Sequence, residues 1–228
     1  MRKLGILGGM SWESSAVYYR LLNEGVRARV GGLASARLVM SSVDFAAIAA
    51  MQAEGRWDEA GAILADEARG LQAAGAEAIV LATNTMHKLA PEIAGAITAP
   101  FLHIADALGG AIKAKGVSSP LLLATRFTME QPFYRDHLRA QHGIEARVPD
   151  EAGRAEIHRI IYEELCRGIV SPASKARALE IAAASGGDGV IFGCTEIMLL
   201  LSAADFAVPT FDTTALHVEA ALDFSLSR

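Results

Sequence analysis

The chain has 228 residues, enough for one large domain or two small ones, and 52% of them are hydrophobic, so a packed core is within reach. With 21 basic against 26 acidic residues the formal charge is −5 and there is no basic block, which argues against a nucleic-acid partner and leaves any anionic ligand to local groups. Two cysteines make no disulfide framework and fit a reducing cytoplasmic compartment, and no apolar run approaches the roughly 20 residues that cross a membrane.

From the N-terminus, Leu4-Gly5-Ile6-Leu7 reads as a buried strand that stops at Gly8-Gly9, and Ser11 and Ser14 are candidate caps of a helix to about Val30. The Gly8-Gly9-Met10 turn offers backbone N–H groups to an anion, or is simply a tight strand-to-helix turn; it is neither GxGxxG nor a P-loop. Ala36 to Ser41 is a second strand, followed by a short helix reaching Gln52. Asp58 to Ala74 has the spacing of an amphipathic helix, closed by Gly75. Ala78 to Ala82 is a continuous apolar strand that delivers Thr83-Asn84-Thr85, and a short helix around Pro91 and a strand at Pro100–His103 come next.

The pattern then restarts. Leu121–Ala124 is a strand leading into Thr125-Arg126-Phe127-Thr128, followed by a helix over about Gln131–Gln141 and a strand near Ala146–Val148. Helices are expected from about Ala152 to Arg167 and from Pro172 to Ser185. Strand Gly189–Phe192 delivers Gly193-Cys194-Thr195-Glu196, and a leucine-rich helix and Pro209-Thr210-Phe211-Asp212 follow. Strands alternating with helices are the signature of parallel sheets covered on both faces.

Two of these stretches echo one another. Gly75-Ala76-Glu77-Ala78-Ile79-Val80-Leu81-Ala82-Thr83-Asn84-Thr85 lies without a gap over Gly186-Gly187-Asp188-Gly189-Val190-Ile191-Phe192-Gly193-Cys194-Thr195-Glu196, 111 positions on (186 − 75). Pro100–His103 repeats as Pro209–Asp212 at an offset of 109 (209 − 100). The chain is therefore expected to be an internal pseudo-dimer of α/β halves, residues 1–98 with 210–228 and residues 99–209. Ligands of such sheets bind beyond the carboxyl ends of the strands, which puts the expected site in the crevice between the halves.

In the echo Thr83 is the counterpart of Cys194. Cys194 ends a strand and precedes an expected helix, whose N-terminus would lower the thiol pKa and supply a thiolate base or nucleophile. The alternative is a small buried hydrophobe, the reading kept for Cys166. Thr83 has no titration near neutral pH; it can present a proton to a carbanion, bind a carboxylate, or cap the next helix, a role open to Thr85 as well. His87 and His103 lie close to the expected cleft; His103 and Asp212, at near-equivalent positions of the echo, each either orient a neighbouring base or are satisfied buried polar groups. No HExxH, CxxC or GxSxG spacing is present, and no metal is expected.

At these motifs the sequence resembles the aspartate/glutamate racemase family. The likeness is carried by the Gly-Cys-Thr-Glu segment, by Leu4–Met10, by Thr125–Met129 and by Phe101–Asp106, and it runs over the whole chain. It implies a cofactor-independent α/β enzyme with two pseudo-symmetric halves, homodimeric, moving the α-proton of an amino acid between two cysteines. Here Thr83 replaces the first cysteine, which resembles a branch specific for L-aspartate and L-glutamate. The resemblance further implies that Met10, Gln52, Thr83, Asn84, Thr85, Thr195 and Glu196 contact substrate, with Thr125 and Thr128 on the α-carboxylate. With Thr83 opposite, Cys194 is the only credible base, so proton exchange should favour one enantiomer. Alternatives are a single-cysteine dicarboxylate decarboxylase or isomerase on the same fold, and an amino-acid-binding protein that has lost catalysis.

Overall fold

A computed structural model describes residues 1–227 as two compact α/β units, one of residues 1–104 with the segment from His217 on, the other Ala105–Leu216. The elements run β1 (Leu4–Gly8), α1 (Trp12–Val30), β2 (Leu38–Ser42), α2 (Phe45–Glu54), α3 (Trp57–Ala73), β3 (Ala78–Leu81), α4 (Ala90–Gly95), β4 (Phe101–Leu102) and α5 (Ile104–Ala114). They continue with β5 (Leu121–Ala124), α6 (Arg126–Glu130), α7 (Pro132–His142), α8 (Glu151–Arg159), α9 (Pro172–Ser185), β6 (Val190–Gly193), β7 (Thr210–Asp212) and α10 (Thr213–Leu226). The first unit holds a four-stranded sheet in the order β2-β1-β3-β4 and the second a three-stranded sheet β5-β6-β7; every pairing is parallel.

The central strands of the first sheet, β1 and β3, are buried on both faces, which is why they are apolar throughout rather than alternating. Leu4, Ile6, Ala78 and Val80 pack with Tyr18, Leu22 and Val26 of α1 and with Val218, Ala221 and Leu222 of α10. Leu7, Ile79 and Leu81, one residue out of phase, pack with Ile48 of α2 and Leu64, Ala68 and Leu71 of α3. In the second unit Leu121–Ala124 and Val190–Gly193 are likewise fully buried.

The repeat read in the sequence recurs in the hydrogen bonds. Glu77 Oε1 accepts the Lys3 N–H at 2.8 Å just before β1, and Asp188, 111 positions on (188 − 77), accepts the Ser118 and Ser119 N–H groups at 2.8 Å just before β5. Ile79 N–H donates to Pro100 C=O at 2.9 Å, and Val190 N–H donates to Pro209 C=O at 2.9 Å. In each unit the duplicated strand is thus flanked by the same two partners.

The units meet in sequence at 104/105 and 216/217, six and seven residues beyond the expected junctions at 98/99 and 209/210. The reason is pairing: β4 completes the sheet of β3 and β7 completes the sheet of β6. Helix α5 then joins the second unit and most of α10 the first.

Several expected elements are shorter than the periodicity suggests. The helix expected over Ala152–Arg167 is α8 followed by a π turn, Ile160–Glu164, and a 3₁₀ turn, Leu165–Arg167. The leucine-rich stretch after Cys194 is a 3₁₀ turn, Thr195–Leu199, and the strand near Ala146–Val148 is a single bridge between Arg147 and Leu121. Among the described residues no helix is long and apolar enough to cross a membrane.

Candidate active site

In the first unit the parallel register aligns Leu7 with Leu81, so the chain leaving β1 and the chain leaving β3 emerge side by side at the carboxyl edge. Met10 follows β1 and Thr83-Asn84-Thr85 follows β3; Met10, Asn84 and Thr85 are buried and Thr83 is half-buried. Gly9, at φ +90°, makes the exit from β1, where a Cβ would fall 2.3–2.4 Å from the backbone of Val43. Its N–H donates to Ser15 Oγ at 2.8 Å, so the Gly8-Gly9 element is a tight strand-to-helix turn, not a free anion cradle. Ser11 caps α1, its Oγ accepting the Ser14 N–H at 3.3 Å. Gln52, on α2, is buried with its amide nitrogen against the Met86 sulfur.

In the second unit Ala124 aligns with Gly193, and the next residues are Thr125 and Cys194. Thr125 is the N-cap of α6 and Thr128 lies one turn on; both are buried, with their hydroxyls 3.2 Å apart. Cys194 is the N-cap of the 3₁₀ turn, 8% exposed, and its thiol donates to Glu196 Oε2 at 3.0 Å. Thr195 and Glu196 are half-buried beside it.

The thiol does not behave as its place at the head of a turn suggests. Burial, and then the neighbouring Glu196 carboxylate, push it well above the ordinary cysteine value. A five-residue 3₁₀ turn supplies too little dipole to offset the lost hydration, so the expected depressed thiol is corrected to a resting, protonated one.

Two residues that the sequence did not single out belong to this neighbourhood. Tyr162 lies in the π turn; burial above all, with Cys166, Cys194 and Glu196 close by, raises its phenol to about 12. Its ring centroid is 4.5 Å from that of His158, whose Nδ1 accepts the Arg126 N–H at 3.3 Å at the head of α6. His158 lies in α8 and Tyr162 in the π turn that follows, which helical periodicity does not reveal. Cys166, expected in the core, is half-buried.

The remaining candidates resolve individually. Asp212 caps α10, its Oδ1 accepting the Thr214 and Ala215 N–H groups at 2.9 and 3.1 Å, which makes it a satisfied polar group. His87 is buried and bonded through both ring nitrogens, and His103 packs edge-on against it at 4.6 Å between centroids. Beside them, Lys88 is half-buried with its ammonium 3.8 Å over the Trp57 ring. Arg126 is exposed.

Comparison with known proteins identifies the family and the fold. The family model described as Asp/Glu/Hydantoin racemase matches residues 7–221. A Yersinia pestis structure bearing a provisional Asp/Glu racemase designation is 50% identical over 100% of both chains, with a TM-score of 0.94. An aspartate racemase homologue from Pyrococcus horikoshii is 32% identical, again over 100% of both chains, with a TM-score of 0.86. The aspartate racemase of Picrophilus torridus shares the fold, with a TM-score of 0.76 over 99% of this chain and 94% of its own at 20% identity.

Proposed function

The chain belongs to the Asp/Glu/hydantoin racemase family of isomerases, and on that premise we propose that it moves the α-proton of L-aspartate or L-glutamate, with Cys194 as base and Thr83 as the opposing proton donor. The observation that carries this reading is the Cys194–Glu196 contact at the carboxyl end of β6, at the position where the repeat places Thr83 after β3.

The chemistry follows from the resting thiol. Its proton sits between sulfur and a carboxylate 3.0 Å away, so Glu196 is the group that takes it. A bound substrate brings an α-ammonium, and that positive charge lowers the cost of the thiolate. The thiolate removes the α-hydrogen, and the electron pair moves into the α-carboxylate as an enediolate. Thr125, Thr128 and the head of α6 offer hydroxyl and N–H donors for that developing charge. The Thr83 hydroxyl then protonates the opposite face of carbon. Its alkoxide is costly and must recover a proton from solvent, so the return through threonine is slow. Met10, Gln52, Asn84, Thr85 and Thr195 complete the substrate contacts in this reading, which uses no cofactor. The two free cysteines suit a reducing cytoplasm, and a homodimer is the assembly expected.

The reading is tested by chiral analysis of purified protein incubated with L-aspartate and with L-glutamate. The D-enantiomer should accumulate from at least one, and Cys194→Ala should remove the activity while leaving the melting temperature within a few degrees. Turnover undiminished in Cys194→Ala, or confined to dicarboxylates that lack an amino group, overturns it.

A further inference from the structure

We infer that His87 is the positioning residue of Thr83, fixing the direction in which the threonine hydroxyl is presented; this rests on the proposed role of Thr83 as proton donor. His87 is 2% exposed, and each of its ring nitrogens meets a backbone group. Nε2 lies 3.1 Å from Ile104 N, a donor that has no choice of role, so Nε2 accepts. Nδ1 therefore carries the hydrogen and donates to the Thr83 C=O at 2.7 Å.

The consequence falls on Thr83. Its N–H donates to Leu81 C=O at 2.9 Å, so both its backbone polar groups are held, one by its own strand and one by the imidazole. The backbone on either side of its Cα is thereby fixed, and a β-branched side chain has few χ1 choices left. The hydroxyl leaves the end of β3 in one direction. The ring spans the end of β3 and the start of α5 with a single defined tautomer. His103, edge-on at 4.6 Å, and Phe101, at 5.5 Å, wall the ring in and keep it from turning over.

Two conservative variants separate the bonds. His87→Gln places an amide near Nε2, where its oxygen can still accept from Ile104, and loses the donor to Thr83. His87→Asn places its amide N–H near Nδ1 and keeps that donor. Two rates are read on each: α-deuterium uptake by L-aspartate, which reports Cys194, and net conversion of L to D, which needs Thr83. His87→Gln should lower net conversion by about 10-fold or more, within the 10²-fold that a misplacement of about 1 Å costs. Its deuterium uptake should stay within about twofold of wild type, and His87→Asn should restore the ratio of the two rates. Equal loss of both rates in His87→Gln, as a purely structural role predicts, overturns the inference. The tautomer is a second test that needs no variant: nitrogen-15 correlation spectra of the wild type should show His87 protonated on Nδ1, and the Nε2-protonated form overturns it. Thr83→Ala separates the two proposals. If it leaves the ratio of rates unchanged, the donor role of Thr83 fails; if it lowers the ratio while His87→Gln does not, only the role of His87 fails.

Discussion

His217 should make the stability of the first unit fall steeply in mild acid. The ring is fully buried, with Nδ1 2.9 Å from the Tyr18 hydroxyl and Nε2 2.7 Å from Leu102 C=O, so it is neutral: Nε2–H donates to the carbonyl and Nδ1 accepts from tyrosine. Burial pulls its pKa from 6.5 to about 4, against the opposing pull of the Leu102 carbonyl. The unfolded ring takes up a proton near 6.5 and the folded one only near 4, so between these values the unfolded state holds more protons and stability rises with pH. The contribution is complete above pH 6.5 and is lost as the pH falls toward 4. At 1.36 kcal/mol per pH unit, that interval is worth about 3 kcal/mol. The comparison is with His217→Gln, which keeps an amide donor for Leu102 and cannot titrate. Urea unfolding of both proteins at pH 7.5 and pH 4.5 should show the wild type losing about 2–3 kcal/mol more than the variant, since the carboxylates that also titrate are common to both. Parallel loss in the two proteins would refute a neutral, pKa-depressed His217.

Other expectations follow from single contacts. Gly9→Ala forces a side chain into the positive-φ region and onto the Val43 backbone at 2.3–2.4 Å, and should cost about 3 kcal/mol, read as a lower urea midpoint. Glu196→Gln keeps a hydrogen-bond acceptor beside the thiol but removes the carboxylate that takes the Cys194 proton, and should lower α-deuterium uptake by L-aspartate by about 10²-fold, with the circular dichroism spectrum unchanged. Thr83→Cys should bring the exchange rates of the two enantiomers closer together, because a thiol on the second face can serve as a base.

Much of this architecture was open to inspection in the residues. Uninterrupted apolar runs such as Ala78–Ala82 and Leu121–Ala124 can satisfy their surroundings only as strands covered on both faces, and the 111-residue echo carried through to matched carboxylates at Glu77 and Asp188. Polar residues directly after such strands marked Thr83, Cys194 and Thr125. The halves read from the repeat already put α5 with the second unit and α10 with the first; what was not legible is that β4 and β7 stay with the sheets of β3 and β6, because strand pairing across a sheet leaves no local mark in the sequence. The π turn at Ile160–Glu164, which carries Tyr162, was not legible either, because one extra residue in a helical turn leaves the composition unaltered. The state of the thiol was misjudged because position at a turn can be read in sequence while desolvation and the reach of Glu196 cannot. His87 was visible as a polar residue near the Thr83 loop, but its tautomer depends on Ile104, 17 positions away.

The proposed catalyst is handed, with a titratable thiol on one side of the α-carbon and an alcohol on the other. The most direct measurement of that handedness is α-deuterium uptake from D₂O by L-aspartate and by D-aspartate, followed separately with the wild-type protein. The L-enantiomer should exchange at least about tenfold faster than the D-enantiomer, consistent with the 10²–10⁴-fold that a positioned base contributes. Equal rates from the two enantiomers, or faster exchange from the D-form, would contradict it.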